Sequence, residues 1–387
     1  MELKVIDFIK SHNNWEELLK AEPYNLKMSK NEFYAMLSYT PTSNFNEPIV
    51  RECRGLVVDL TTRNPRALSF IKFFNVQEDL AATIDWSSAK VQEKVDGSKI
   101  LVWYNTYDKH WEISTSSIIN ANLATVNDFG LTFQKLFYKA LKNNNLNENF
   151  CNILDKNYCY TFELVAPENR VVVPYKNADI YFIGKRNAIT FEEVAPSADE
   201  ILSKLIKVPA SYSLSSLEDC LAATSKMSYD EEGFVVVDKN WNRVKIKSPE
   251  YVAVHHIRSN INSKRAILKI LEDGKKDEVL KLYPEYQKYF DLVETSFLNF
   301  KFLLRNSVEQ YNFWFKNHSN LIQKDKALFI LQLPKKIQNF LFAYAKEDCI
   351  SFDLFFQKEW SKLTMTKKLE LLGLKEQVVK DDDYIEE

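Results

Sequence analysis

Apolar and polar residues alternate differently in the two parts of this chain. Between about residues 50 and 250, short runs of β-branched and aromatic residues are separated by polar turns, a pattern typical of β-strands. We predict a β-rich domain here, with strands over 55–58, 100–104, 170–173, 180–183 and 234–237.

Two segments of this first part carry apolar residues at helical spacing instead. The stretch before Tyr24 and the stretch from about 130 to 146 each place apolar side chains three or four positions apart, which predicts an N-terminal helix and one helical insertion. The positions concerned are Val5, Phe8, Ile9, Trp15 and Leu18 in the first stretch, and Leu131, Phe133, Leu136, Phe137 and Leu141 in the second.

Beyond about residue 255 the pattern becomes helical throughout. Apolar residues recur at steps of three and four from Phe290 to Phe315, the stripe of an amphipathic helix. A second set at 337–344 follows Pro334, a residue suited to the start of a helix. We therefore expect domains at 1–255 and 256–387, the second all-helical with an acidic tail at 380–383.

Composition limits the classes of protein to consider. The 387 residues suffice for two or three domains, and the net charge of -2 does not indicate a nucleic-acid partner, although a local basic face is compatible with it. The five cysteines lack metal-binding spacing, which favours buried thiols in a reducing compartment. No apolar run approaches the ~20 residues of a membrane span. We expect a cytoplasmic protein with no membrane partner.

The segment Lys94-Val95-Asp96-Gly97 is the strongest candidate for chemistry. A K-x-D-G sequence is typical of enzymes whose lysine amine attacks the α-phosphate of a nucleotide. Such an attack requires a deprotonated amine, neutralisation of phosphate charge and a nucleotide held in line. The alternative is a surface lysine at a turn between strands.

Three later segments supply groups that suit this chemistry. Glu163 is an acidic residue within an apolar strand, where its partner is a ribose hydroxyl or a structural arginine. Glu232-Gly233 at the start of a predicted strand offers a carboxylate for a divalent metal, or else forms a solvated acidic turn. Lys245 and Lys247 lie on one face of a predicted strand. There are two alternatives for this face: either it binds a phosphate, or it is exposed to solvent.

Several short motifs accompany these segments in a fixed order along the chain. They are E-C-R-G at 52–55, K-F-F-N at 72–75, F-E at 162–163 with Pro167, Asn169-Arg170 and Tyr175 behind it, Glu232-Gly233, and K-I-K-S at 245–248. Over about residues 35 to 255, this combination resembles the RNA ligase 1 family of T-even bacteriophages, which are ATP-dependent RNA ligases of the covalent nucleotidyltransferase superfamily.

The resemblance implies an α+β fold. It would consist of a nucleotidyltransferase (ATP-grasp-like ligase) domain of antiparallel sheets with flanking helices, followed by the all-helical domain. It also implies roles for individual residues. Lys94 would form lysyl-AMP, Glu163 and Glu232 would be metal ligands, and ATP would be contacted by Tyr39, Arg54, Lys72, Glu163, Lys245 and Lys247.

One position departs from the family pattern. The family has a basic residue before a glycine in the strand that follows the nucleophile, and this chain has Thr115 there. Either a neighbouring cation substitutes for the missing charge, or the contacts to triphosphate or RNA differ.

The resemblance predicts an RNA ligase that joins 5′-phosphate and 3′-hydroxyl RNA ends through lysyl-AMP and RNA-adenylate, with ATP and Mg²⁺ (or Mn²⁺). The expected substrate is tRNA with a broken anticodon loop, selected by residues 256–387. A polynucleotide kinase/phosphatase would be the functional partner, and the ligase would act as a monomer in host cytoplasm. The alternatives are a DNA ligase, an mRNA capping guanylyltransferase, or a catalytically inactive RNA-binding protein on the same fold.

Overall fold

The computed structural model describes residues 3–126, 130–261, 263–317, 322–346 and 351–374. Residues 1–255 form one unit of the chain and residues 256–381 form a second. The acidic tail expected at 380–383, and Cys349, lie outside the described residues. The cysteines at 53, 151, 159 and 220 are buried free thiols.

The first unit contains the β-strands. They are β1 (Lys27–Lys30), β2 (Tyr34–Ser38), β3 (Arg54–Asp59), β4 (Pro65–Ala67), β5 (Phe74–Asn75), β6 (Lys90–Glu93), β7 (Ser98–Asn105), β8 (His110–Ser114), β9 (Thr125–Val126), β10 (Leu131–Thr132), β11 (Tyr158–Val165), β12 (Asp179–Asn187), β13 (Glu193–Val194), β14 (Ser211–Tyr212), β15 (Gly233–Val237) and β16 (Arg243–Lys247).

Helices flank the sheets and make up the second unit. They are α1 (Lys4–Ser11), α2 (Trp15–Lys20), α3 (Pro48–Glu52), α4 (Phe133–Asn143), α5 (Leu202–Leu205), α6 (Leu217–Thr224), α7 (Pro249–Ile261), α8 (Lys264–Glu272), α9 (Lys276–Leu282), α10 (Gln287–Lys316), α11 (Gln323–Leu331), α12 (Lys335–Tyr344), α13 (Phe352–Ser361) and α14 (Met365–Leu372).

The strands form three main sheets and a small β10-β9 ribbon within the described residues. The N-terminal sheet has the order β1-β2-β3-β4, the central sheet β13-β12-β11-β7-β8, and the third sheet β14-β6-β15-β16-β5. Among these strands the β16–β5 pair is parallel, and the ladders that hold the sheets together are otherwise antiparallel. The expected α+β fold of antiparallel sheets with flanking helices is confirmed.

The predicted helical insertion is confirmed as α4. Thr132 caps its first turn, because the threonine side chain accepts a hydrogen bond from the backbone N–H of Lys135. The apolar face of α4 packs on the central sheet, where the rings of Phe137 and Phe162 lie 5.7 Å apart. This core fixes β11, the strand that carries Glu163.

The prediction of one continuous N-terminal helix is wrong, because a turn separates α1 from α2 at residues 12–14. Asn13 and Asn14 favour turns over helix interiors. The start of α1 is held by Glu52, whose carboxylate accepts hydrogen bonds from the backbone N–H of Val5 at 2.8 Å and of Lys4 at 3.2 Å.

The strand predicted over 170–173 is also wrong, because these residues form bends. The backbone N–H groups of Val172 and Val173 donate to the Asp96 carboxylate, at 2.8 and 2.7 Å. A side chain distant in sequence therefore takes the donors that a neighbouring strand would use.

The helical pattern of the second unit is confirmed. The stripe from Phe290 to Phe315 lies on α10, a 30-residue helix that contacts α8, α12, α13 and α14, and α12 begins directly after Pro334. Within the described residues, no helix combines the length and the apolar character needed to cross a membrane. Buried positions of the stripe are Phe290, Val293, Phe300, Leu304, Val308 and Tyr311.

Candidate active site

Strand pairing in the third sheet brings the lysine motif and the Glu-Gly segment together. Strand β6 ends one residue before Lys94 and pairs antiparallel with β15, and the backbone N–H of Lys94 continues the ladder to Gly233 O at 2.9 Å. On the other side of β15, Gly233 lies opposite Lys247 of β16. Residues far apart in sequence therefore meet at one edge of the sheet.

The side chains of Lys94, Glu232 and Lys247 form a short ion-pair chain. Lys94 Nζ lies 2.9 Å from Glu232 Oε2, and Lys247 Nζ lies 3.3 Å from Glu232 Oε1. The Glu232 side chain is 3% exposed and the Lys94 side chain 10%. The alternatives of a surface lysine and a solvated acidic turn are therefore wrong.

Lys245 is the most deeply buried cation of this group. Burial is the main reason that its pKa lies well below the ordinary lysine value, and the positive charges of Lys94, Arg54, Lys72 and Lys247 lower it further. The alternative of an exposed strand face is wrong for Lys245. So much positive charge in one place suits a polyanionic ligand.

Lys72 reaches this group from the loop between β4 and β5. Its ammonium is held over aromatic faces, a favourable arrangement for a cation. The ring centroids lie 5.1 Å away for Tyr39, 5.0 Å for Phe45 and 5.6 Å for Phe74. The structure thus brings Tyr39 to the site beside Lys72.

The aromatic ring of Phe73 contacts two further cations, Arg54 and Lys245. The Arg54 guanidinium lies 4.9 Å from the centroid of the Phe73 ring, and the Lys245 ammonium lies 5.2 Å from it. The K-F-F-N motif therefore contributes a cation of its own and an aromatic ring that contacts two others.

Glu163 lies on the neighbouring central sheet, opposite a lysine. It is buried on β11, and its antiparallel partner on β7 is Lys99. The Lys99 ammonium donates to the backbone carbonyl of Arg54 and to Ser69 Oγ, both at 3.0 Å. Our sequence analysis missed Lys99, although a lysine preceding the apolar run of β7 is a signal that could have indicated it.

Asp96, the acidic residue of the lysine motif, is fixed by three donors. Besides the backbone of residues 172 and 173, Tyr251 OH donates to Asp96 Oδ1 at 2.8 Å. Burial and the charge of Glu232 raise the pKa of Asp96 to about 6, against the opposing effect of these hydrogen bonds. Asp96 thus anchors the loop behind Lys94, a role that we did not predict.

Two glycines allow backbones to approach closely here. A Cβ at Gly97 would lie 2.5 Å from Leu164 O, and one at Gly233 would lie 2.1 Å from Ile246 O. Gly233 also has φ +130°, a conformation that other residues rarely adopt. Side chains at either position would push apart the strands that carry Glu163 and Lys247.

A cavity of about 280 Å³ opens beside Lys94. Its lining includes Arg54, Lys99 and Glu163. It also includes Phe70, Trp241 and Arg243, whose guanidinium lies 4.5 Å from the Phe70 centroid and 5.3 Å from that of Trp241. The cavity therefore combines charged groups with aromatic rings, both of which suit a nucleotide.

Among the described residues, one group of three or more close ligand side chains could hold a metal ion by itself. It consists of Asp108, His110 and Glu112, at the exposed end of the β7–β8 hairpin. The predicted ligands Glu163 and Glu232 do not belong to it. Magnesium is commonly bound by one or two carboxylates together with substrate phosphates, so the donor set near Lys94 fits that mode.

Thr115 follows β8 and stabilises a turn. Its hydroxyl accepts hydrogen bonds from the backbone N–H of Ser117 at 3.4 Å and of Ile118 at 3.1 Å. The position therefore contributes turn geometry and no positive charge.

Comparison with known proteins gives consistent similarities. A sequence model described as RNA ligase matches residues 52–251. The chain is 31% identical to a candidate bifunctional polynucleotide kinase/RNA ligase of Autographa californica nuclear polyhedrosis virus, over 62% of this chain and 36% of that protein. It is 28% identical to an RNA ligase of Rhodothermus phage RM378, over 63% and 69% of the two chains.

Among solved structures, overlaps are partial. An RNA ligase of Naegleria gruberi with ATP and Mn gives a TM-score of 0.35 at 18% identity, over 44% of this chain and 52% of that one. An archaeal ATP-dependent RNA ligase gives 0.43 at 11% identity, over 68% and 67%. The chain thus aligns with only part of each of these proteins, and with about a third of the length of the viral protein.

The RNA ligase match covers more than half of the chain. It includes Arg54, Lys94 and Glu163, which line the cavity, and Glu232 and Lys245, which lie near Lys94. On the strength of that match, this chain belongs to the RNA ligase family.

Proposed function

We propose that the protein is an ATP-dependent RNA ligase in which Lys94 is the nucleophile. The observation that carries this proposal is the position of the Lys94 amine, 2.9 Å from the Glu232 carboxylate and beside a nucleotide-sized cavity. A lysine with a structural role alone would not need further cations around it.

In the first step, Lys94 Nζ attacks the α-phosphate of ATP, forming an N–P bond and releasing pyrophosphate. Repulsion among the clustered ammonium groups favours loss of a proton from the cluster to solvent, so that the Lys94 amine attacks in its neutral form. Lys245, Lys247 and Arg54 would neutralise the charge that develops on the phosphates.

Mg²⁺ (or Mn²⁺), when bound, would screen the phosphate charges and orient pyrophosphate as a leaving group. Glu232 and Glu163 are the carboxylates proposed to hold it. Glu232 loses an ionic partner when Lys94 gives up its charge, so its oxygens then suit a metal.

In the later steps, AMP would pass from Lys94 to the 5′-phosphate of an RNA, and a 3′-hydroxyl would then displace AMP and seal the strand. Residues 1–255 would form the adenylyltransferase domain, and residues 256–387 would select the RNA. We propose tRNA with a broken anticodon loop as the substrate, since RNA is commonly recognised through shape and unpaired bases.

We further propose a monomer that acts in host cytoplasm beside a polynucleotide kinase/phosphatase. The bifunctional description of the viral relative supports a kinase partner.

The decisive experiment is mass spectrometry of the intact protein after incubation with ATP and Mg²⁺. We expect one added AMP, located at Lys94 by peptide mapping and absent from Lys94→Ala. The exposed Lys135 of α4 provides the control, because Lys135→Ala should retain the adduct. An adduct with GTP alone would indicate a capping enzyme. Equal failure of wild type and Lys94→Ala to circularise 5′-phosphorylated RNA would indicate an inactive RNA-binding protein.

A further inference from the structure

Lys99 is a buried cation at the nucleotide cavity without an assigned role. The residue is 3% exposed, and its ammonium donates at 3.0 Å to Arg54 O and to Ser69 Oγ. Ser69 Oγ in turn lies 3.3 Å from Arg54 O, to which it donates. A lysine at such depth is stable only when its donors and its charge are matched.

The two acceptors take two of its three donors, and the sheet register places an opposite charge nearby. Lys99 and Glu163 are directly opposed in the β7–β11 ladder, so their side chains leave the sheet on the same side with Cβ atoms roughly 5 Å apart. Both side chains line the cavity. The register and the shared lining therefore place the carboxylate of Glu163 and the fixed ammonium of Lys99 on the same side of the sheet, inside the proposed ATP site.

We propose that Lys99 is a positioning residue that holds the Glu163 carboxylate for the ribose of ATP and so sets the preference for ATP over 2′-deoxy-ATP. The inference rests on the proposed function, since it takes ATP as substrate, and it adds a ribose contact to the role proposed for Glu163. The same ammonium fixes the main chain of Arg54, so one side chain orders two groups of the site.

The position of Lys99 explains how it would orient the Glu163 carboxylate. Glu163 lines the cavity together with Arg54 and Lys94 as well as Lys99, so several cations attract its carboxylate. The nearby Lys99, itself fixed by Arg54 O and Ser69 Oγ, keeps the carboxylate on the central-sheet side of the cavity. Without it, Glu163 turns away and a 2′-hydroxyl loses its acceptor.

The test compares rates of protein adenylylation with ATP and with 2′-deoxy-ATP. One hydrogen bond to a charged group corresponds to a preference of about tenfold to a hundredfold, and we expect a preference of that size for the wild type. Lys142 is an exposed lysine of α4, so the control variant Lys142→Met should show the same preference. Lys99→Met should reduce the preference to within about twofold, whereas Lys99→Arg should keep most of it. Ser69→Ala, which removes one acceptor, should give an intermediate value.

A double variant separates positioning from a general structural role. If Lys99 acts through Glu163, then Lys99→Met should change the ATP to 2′-deoxy-ATP ratio in the wild-type background and leave it unchanged in Glu163→Gln. Equal slowing with both nucleotides would overturn the inference and make Lys99 structural. If Lys99→Met does not fold, a ratio in Ser69→Ala that equals the wild-type ratio would also overturn it.

If the proposed function itself is wrong, the result differs from the one expected when only the inference about Lys99 is wrong. In that case wild type forms no adenylate at Lys94 with either nucleotide. Failure of the present inference leaves a wild-type adduct whose ribose preference does not depend on Lys99.

Discussion

The two units of the molecule differ in how deeply their charged side chains are buried. In residues 1–255, several charged side chains are buried, among them Asp96, Lys99, Glu163, Glu232 and Lys245. Such burial is costly unless each charge is paired or serves a ligand.

In the helical unit, charged pairs along the helices are mostly exposed. Lys269–Asp273 on α8 and Lys367–Glu370 on α14 lie on open faces, and aromatic rings such as Phe300 and Trp360 form the core, 5.5 Å apart. The Lys368–Glu272 pair is the more buried exception. We infer from this difference that the buried charges of the first unit belong to the candidate active site. Substitutions of these buried charged residues should therefore affect activity more than stability.

The largest effect is expected for Lys245→Met. Loss of a cation aimed at the reacting phosphate should slow adenylylation roughly 10³-fold, a barrier change of about 4 kcal/mol. The free energy of unfolding should stay equal or rise, because a buried charge is replaced by an apolar side chain of similar volume. Rates of AMP transfer and urea unfolding curves would measure both quantities.

The exposed Lys135 again gives the control, since Lys135→Met should alter neither quantity. A loss of several kcal/mol of stability in Lys245→Met, with adenylylation preserved, would show that Lys245 is a structural residue. The contrast between the two units would then fail.

Asp96→Asn should change the pH dependence of stability. The folded pKa of about 6 lies above the ordinary value of 3.8, so between pH 4 and 6 the folded protein holds a proton that the unfolded chain has lost. The wild type therefore loses stability as pH rises through this window, by about 3 kcal/mol. The amide that replaces the carboxyl group in the variant cannot titrate.

The measurement is the difference in unfolding free energy between Asp96→Asn and wild type at pH 4 and at pH 6.5. That difference should shift in favour of the variant by about 3 kcal/mol across the window. A constant difference would mean that Asp96 titrates normally and that its burial does not control its charge.

Glu52→Gln should have a smaller effect, on stability alone. The carboxylate caps α1 through Val5 and Lys4, and the amide keeps one acceptor while losing the charge that favours a helix N-terminus. We expect a loss of about 1 kcal/mol in chemical denaturation with adenylylation unchanged. A large loss of adenylylation would instead link Glu52 to the neighbouring Arg54.

The smallest effect is expected for Lys269→Ala on α8. Its partner Asp273 is four residues away, and the two side chains are 61% and 40% exposed. Such pairs contribute about 0.5 kcal/mol or less. A loss above about 2 kcal/mol would show that the helical unit, too, depends on its charges.

Local patterns predicted most strands around the site and the long helix α10, whereas Lys94 and Lys245 were singled out by the motifs that resemble RNA ligases. They failed where a distant partner decides the conformation. The segment 170–173 has strand-like residues, but its donors are taken by Asp96. Lys99 was missed because its importance depends on the register between β7 and β11, which no single segment reveals.

The rings beneath Lys72 have a consequence for the whole molecule. The faces of Tyr39, Phe45 and Phe74 attract this lysine without adding a negative charge of their own. Phe73 does the same for Arg54 and Lys245. A protein with a net charge of -2 can thereby present a concentrated positive potential to a polyphosphate at one point of its surface.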